Sequence, residues 1–365
     1  MLGLFLVSIV IILLHAKYYR CPSKLIVFVF SVTFIFIFSL FVSVANNNVL
    51  SYIIYDSAGF PIYFVLMPTL LFVLNSSKRM GIFLDYYVKF SFIFSLVSLL
   101  IFIVFFLVFK ELNLDTITHA NNTLKQYINL KLGATAGILR VNTNAIQMVL
   151  PAIFLVLIKN SKCWKDYVVI ATMVIAIFAD GHRAVIISLA IIILAYLLLY
   201  KRHAVMFSLL LILLTVVAVK YDSIVSRFNF DTESSSLRLD QIPPLISEID
   251  NSPLLGSGFG SSASLIRNEL RPFMYEVDVL AIAMKLGVPL ALFFGLSWFL
   301  LLPKGIHSNL ASHNLMIVTM LACAFYMTTN GGYFMSPITS VLQMMLYLVF
   351  ASFLNSTKIY GINRC

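Results

Sequence analysis

The chain has 365 residues, 61% of them hydrophobic and only 11% charged, with a mean hydropathy of +0.99; a water-soluble domain does not have that balance. Its formal net charge of +10 resides largely in short basic clusters between apolar runs, which excludes a solvated basic surface for nucleic acid. Residues 1–365 therefore read as a single integral membrane domain, all-α and polytopic. Apolar runs of about 20 residues recur, and the alternating pattern of a membrane barrel is missing.

Taken in chain order, spans are predicted near 2–16, 25–45, 58–74, 90–109, 142–158, 166–179, 184–200, 204–219, 278–302, 312–328 and 337–354, eleven in all. The first of these has no basic residue before it and no small-residue cleavage site after it, so it reads as a retained span. Basic residues gather in alternate short loops: Lys17, Arg20 and Lys24; Lys78, Arg79 and Lys89; Lys159, Lys162 and Lys165; Lys201 and Arg202; Lys304; and Lys358 with Arg364. By the positive-inside rule these loops are cytoplasmic, with the N-terminus outside and the C-terminus inside. Two long stretches, 110–141 and 220–277, then fall on the outer face.

The second stretch is too long for an ordinary link between helices, and function is expected there and at the helix ends beside it. It holds five basic residues against eight acidic ones, so an anion site on it requires a local cluster of arginines. Cys21, Cys163 and Cys365 lie at cytoplasmic positions and Cys323 within a span, so no extracytoplasmic disulfide is expected. Metal signatures are lacking as well, since the six histidines have no His-x-x-x-His spacing and there is no Cys-x-x-Cys. Neither a metal nor another cofactor is expected.

Three arginines stand out because a guanidinium near the bilayer is costly and persists where it meets water or an anion. Arg140 precedes the fifth span, just ahead of Asn142 and Asn144. Arg183, with His182, opens the seventh span. Arg238 follows Ser234, Ser235 and Ser236, residue types favoured at helix N-caps. All three are expected on the outer side, where guanidinium groups suit a lipid pyrophosphate; the plainer alternative is that each snorkels to headgroups or pairs with a neighbouring acid. Glu276 and Asp278 mark the return to the membrane, where a carboxylate serves either as a general base or simply as a partner of the helix dipole. Asp278 and Lys285, seven residues apart, share a helix face. The Gly256-Ser257-Gly258-Phe259-Gly260 run has no preceding strand and no Walker lysine, so it is no nucleotide motif, and glycine here also suits a turn or close approach to the membrane.

In this order the features resemble the O-antigen polymerase and ligase family. Arg140-Val-Asn-Thr-Asn144 is similar to its arginine ahead of an asparagine-containing helix start, and Gly181-His182-Arg183-Ala184 to its Ser-Arg-Gly-like motif. Arg238 followed by Asn251-Ser252-Pro253-Leu254-Leu255-Gly256-Ser257-Gly258 resembles the arginine and Pro-Leu-Leu-Gly-x-Gly run of its large periplasmic loop. Glu276-Val-Asp278 with Gly287 looks like the re-entering helix. The likeness covers about 140–300. Two departures are His182, in place of the usual small residue, and Glu276, where a ligase carries histidine; the second points to a Wzy-type polymerase.

The resemblance implies a membrane-embedded glycosyltransferase of GT-C type in the bacterial inner membrane, working at the periplasmic face on undecaprenyl-pyrophosphate-linked glycans as donor and acceptor. It implies Arg183 and Arg238 on the donor pyrophosphate and Glu276 as the base. Substrate-binding roles fall to Arg140, Asn144, His182, Asp278, Gly256 and Gly258. Besides membrane lipid, a chain-length regulator and a flippase are the implied partners. Two alternatives stay open: an O-antigen ligase acting on lipid A core, and a lipid-linked oligosaccharide flippase. Against the flippase, no internal repeat is found and ionisable residues gather at one interface, with Lys285 the main interior exception.

Overall fold

A computed structural model of the chain describes residues 23–74, 76–109, 131–135, 138–142, 146–159, 162–201, 238–266, 271–275, 277–300, 310–329 and 337–356. The described helices are α1 (Ser23–Ala45), α2 (Leu50–Asp56), α3 (Gly59–Leu74), α4 (Ser77–Phe109), α5 (Val149–Leu157), α6 (Trp164–Asp180), α7 (Arg183–Leu199), α8 (Ile242–Asn251), α9 (Asp278–Leu286), α10 (Val288–Leu300), α11 (Leu310–Thr329) and α12 (Pro337–Ser356). The helical class thus holds. The addition is one antiparallel hairpin, β1 (Lys131–Thr135) with β2 (Ile138–Asn142), in which Gly133 faces Arg140.

Two described helices are long and apolar enough to cross a bilayer by themselves, Val27–Ala45 and Lys78–Val104. Phe30, Phe34 and Phe41 on α1 are exposed, as are Phe90, Leu100 and Leu107 on α4. Such apolar outer faces suit hydrocarbon. The expected spans at 2–16 and 204–219 lie outside the described residues, so the count of about eleven stays an expectation.

Three expected spans differ from their prediction. Over 90–109, the helix already begins at Ser77, so Lys78, Arg79 and Lys89 lie within α4 and not in a loop, because no glycine or proline able to stop a helix separates that basic segment from the apolar run except Gly81. Over 142–158, helix begins only at Val149, after the short 3-10 turn Ile146–Met148. The segment carrying Arg140 is extended, because Ile138-Leu-Arg-Val-Asn142 pairs along its backbone with β1 instead of continuing a helix upstream. Over 278–302, the helix breaks at Gly287 and its halves meet at 119°. Gly287 has φ +77°, a conformation that helical continuation forbids and glycine adopts freely.

The chain divides into two compact units. In the first, α12 packs on α3, α10 lies along α1, and α9 is clasped between α8 and α10. Aromatic rings fill this core: Phe60 stacks on Phe36 at 5.6 Å and meets Phe294 at 5.5 Å.

In the second unit α5, α6 and α7 pack together, with β2 and the 3-10 turn against α6. Helix α11 runs antiparallel to α7. Three contacts fix that register: His182 with Tyr326, rings 6.0 Å apart, the Ser188 hydroxyl donating to Ala322 O at 2.7 Å, and Tyr200 with Ser312 at 2.5 Å. Each step along one helix is matched by a nearly equal step back along the other.

Candidate functional site

In the first unit, the glycine run is a loop held by hydrogen bonds on two sides. Pro253-Leu254-Leu255 ends the amphipathic α8, whose Leu245 and Ile249 pack on Tyr275, Ala281 and Met284. From there Ser257 N–H donates to Met284 O at 2.8 Å and Gly258 N–H to Lys285 O at 2.9 Å, while Val288 N–H returns a bond to Pro253 O at 2.8 Å. The break at Gly287 frees those carbonyls and that amide from the helix ladder, and the loop uses them. Glycine is required by space as well as by φ: a Cβ on Gly256 would stand 2.3 Å from Gly287 N, and one on Gly287 would stand 2.4 Å from Leu254 O.

On its other side the loop lies against the end of α1 remote from Lys24. Asn48 donates to Ser257 O and Phe259 O, both at 2.9 Å, and Asn46 donates to Ser257 O at 3.2 Å. The Ser43 hydroxyl accepts from Phe259 N–H at 2.6 Å and itself donates to Ser39 O at 2.6 Å. A Cβ on Gly258 would sit 2.6 Å from the Ser43 backbone. Between these contacts the Phe259 ring drops into the aromatic core, 5.4 Å from Phe60.

A buried ion pair joins both sides. Lys285 Nζ lies 2.6 Å from Asp56 Oδ1 and donates to Phe273 O at 2.8 Å, and Asp56 Oδ2 accepts from Gly260 N–H at 2.8 Å. Lys285 therefore answers to Asp56, at the end of α2. The neighbouring Tyr275 hydroxyl accepts from Ala263 N–H at 2.5 Å. Burial pushes the Tyr275 phenol above its ordinary pKa, with the charges of Glu248 and Asp56 adding to the shift and the Ala263 hydrogen bond opposing it. It stays neutral across the physiological range.

In the second unit, the other candidate residues lie at a helix corner. Helix α6 closes on Gly181, φ +69°, whose N–H caps Ile177 O and Phe178 O, and α7 starts two residues later. Arg183 is exposed at the first position of α7, and His182, its N-cap, makes no side-chain capping hydrogen bond. Asp180, beside them, is 2% exposed. Lys159 and Lys162 lie at the opposite end of the α6–α7 pair, where Lys159 bonds Asp166 at 2.8 Å and Lys162 bonds Tyr196 at 3.1 Å. Seventeen residues of helix, roughly 25 Å at 1.5 Å per residue, separate the two ends. Because α5 and α6 are packed and joined by only six residues, they are antiparallel. The 3-10 turn and β2, which precede α5, therefore belong to the Arg183 end, and so does the backbone of Arg140.

The structure thus divides the expected site residues between the units. Arg238, exposed in a helical turn ahead of α8, lies in the first unit with Gly256, Gly258 and Asp278, which is 3% exposed at the start of α9. Arg140, His182 and Arg183 lie in the second. Asn144 and Glu276 fall outside the described residues, as do Ser234, Ser235 and Ser236. Residues that sequence reasoning missed are Asp56, Asn48 and Asp180. A signal for Asp56 did exist: it is the first acidic residue of the chain, alone among apolar residues, and a lone charge in such surroundings calls for a partner.

Residues 168–295 match a family model described as O-antigen ligase. That stretch contains Arg183, Arg238, the glycine run, Asp278 and Gly287. No curated protein and no solved structure matches the chain.

Proposed function

We propose, from the match of residues 168–295 to the O-antigen ligase family model, that the chain is a polymerase of lipid-linked glycans in the O-antigen polymerase and ligase family. It transfers a growing chain from undecaprenyl pyrophosphate to the incoming repeat unit, at the periplasmic face of the bacterial inner membrane, as a membrane-embedded glycosyltransferase of GT-C type with about eleven spans. One glycosidic carbon to pyrophosphate bond breaks and one bond to an acceptor hydroxyl forms. The lipid pyrophosphate leaves, and Glu276 takes the hydroxyl proton, a role worth about 10²–10⁴-fold.

The observation that carries this reading is the placement of Arg183. A cation at a helix N-terminus opposes the helix dipole, so its exposed position at the head of α7 does not serve helix stability. A helix N-terminus beside a guanidinium is instead what a phosphate oxygen seeks. Arg183 and Arg238 bind the donor pyrophosphate and stabilise charge as it departs. Arg140, Asn144, His182 and Asp278 hold the glycans, and Gly256 and Gly258 contribute through the shape of their loop.

The test is alanine substitution of Arg183, Arg238 or Glu276 in a host lacking the native gene, read as the ladder of surface glycan on a gel. The expected result is collapse of the ladder to single units at unchanged protein level. An intact ladder in all three variants would overturn the reading. A second reading, transfer to lipid A core, is favoured by the matched family's description, and loss of all capped core in the variants would select it.

A further inference from the structure

We infer that Asp56 and Lys285 are positioning residues, which act through the glycine loop to hold the start of α9, with Asp278, in its working place. The inference rests on the glycan-transfer reading of the same site. Asp56 lies outside the family-matched stretch, and nothing in the reaction as proposed uses either side chain.

Four polar contacts converge on this pair. Lys285 spends two of its donors on Asp56 Oδ1 at 2.6 Å and on Phe273 O at 2.8 Å. Asp56 gives its second oxygen to Gly260 N–H at 2.8 Å. The backbone carbonyl of Lys285 takes Gly258 N–H at 2.9 Å. Two side chains thereby tie together the end of α2, the glycine run, the Phe273–Tyr275 segment and α9. Phe273 and Lys285 bracket Asp278 in sequence, so the segment that returns the chain to α9 is held at both ends. Both charges are almost fully enclosed, at 7% side-chain exposure each.

Burial of an ion pair is a poor source of stability, since an apolar pair of the same volume does as well or better. What charge supplies is direction. An apolar pair fills the space but does not fix Gly260 N–H and Phe273 O on one point. That restraint matters because a bound reactant misplaced by about 1 Å loses on the order of 100-fold in rate.

The experiment compares Lys285→Met with the apolar double variant Asp56→Leu/Lys285→Met in the full-length protein in detergent. Three quantities are read: thermal midpoint, hydrogen exchange at Gly258, Phe259 and Gly260, and elongation of undecaprenyl-pyrophosphate-linked repeat units extracted from a host deleted for the gene. The single variant leaves a buried carboxylate unpaired and is expected to lower the midpoint. The double variant is expected to melt near wild type, to exchange at least 10-fold faster at the three amides, and to lose at least 10-fold in kcat/KM.

Wild-type turnover in the double variant, or wild-type exchange, overturns the inference. So does loss of folded protein in both variants, which would make the pair a stability element alone. Wild-type protein that never elongates the glycan would sink the transfer reading, and a role in that reaction with it. Unchanged exchange sinks the clamp whatever the activity, so the two failures are told apart.

Discussion

The glycine-run end of the first unit and the His182–Arg183 corner of the second are both short polar places where apolar helices stop, yet they spend their polar groups differently. At the glycine run, carbonyls and amides of residues 253–260 bond Asn46, Asn48, Ser43, Asp56, Met284 and Lys285. At the corner, the N-cap residue His182 makes no side-chain capping bond and Arg183 is exposed. The first place is built to be held and the second to present charge. A substitution in each should therefore fail in a different currency, folded amount in one case and turnover in the other.

The sharpest way to break that contrast is Gly256→Ala. The new Cβ would meet three backbone atoms within 2.6 Å, at a φ of +71°, and backbone cannot swing aside as a side-chain tip can. Strained φ and overpacking each cost about 1–3 kcal/mol, so loss of most folded protein is expected, measured as the monodisperse fraction after detergent extraction. A well-folded variant with altered turnover would show that the loop presents a surface instead of bracing one.

Next in size is Arg183→Lys. Lysine keeps the charge but loses the planar fork that grips two phosphate oxygens. Turnover should fall about 10–100-fold, the equivalent of roughly 1.4–2.7 kcal/mol, while the melting midpoint stays at the wild-type value. A lysine variant as active as wild type would reduce Arg183 to a point charge near headgroups.

Much of this contrast is legible in the sequence and some is not, for reasons that particular residues make plain. Apolar length and basic flanks locate α1, α3, α6, α7, α11 and α12 within a few residues, because hydrocarbon thickness imposes them. The break at Gly287 has a cue in Gly287 and Pro289, but its 119° bend and the backbone contact with Leu254 are not legible in that spacing. Arg183 announces itself as a cation at the outer end of a span, and Arg238 as an arginine ahead of the glycine run. The assignment of Lys285 to Asp56, 229 residues away, is invisible to helix periodicity, which offers Asp278 as the nearer partner. Sequence spacing reports neighbours along one helix, whereas this pair is set by how α2 and α9 fold together.

A smaller effect should come from Asn48→Ala. Asn48 gives both of its bonds to loop carbonyls, on Ser257 and Phe259, and a net hydrogen bond is worth about 0.5–1.5 kcal/mol. With Asn46 still reaching Ser257 O, the expected loss is about 1–2 kcal/mol. It should appear as a lowered thermal midpoint with the fold retained, together with faster amide exchange across 257–260. An unchanged midpoint would leave the ion pair and Phe259 as the whole of the loop's restraint.

The smallest expected effect is the control that gives Gly256→Ala its meaning. Gly295, within α10, has nothing within 4 Å of where its Cβ would be, and its backbone is helical. Alanine there removes the entropic cost of glycine in a helix, about 0.5–1 kcal/mol, so Gly295→Ala should melt at or slightly above the wild-type midpoint with normal turnover. The same substitution thus has opposite signs at two glycines of one unit. The sign follows from whether backbone or open space faces the missing Cβ. If Gly295→Ala destabilises as strongly as Gly256→Ala, intolerance of a methyl group is general to the unit, and the special closeness of the loop to the Gly287 break loses its support.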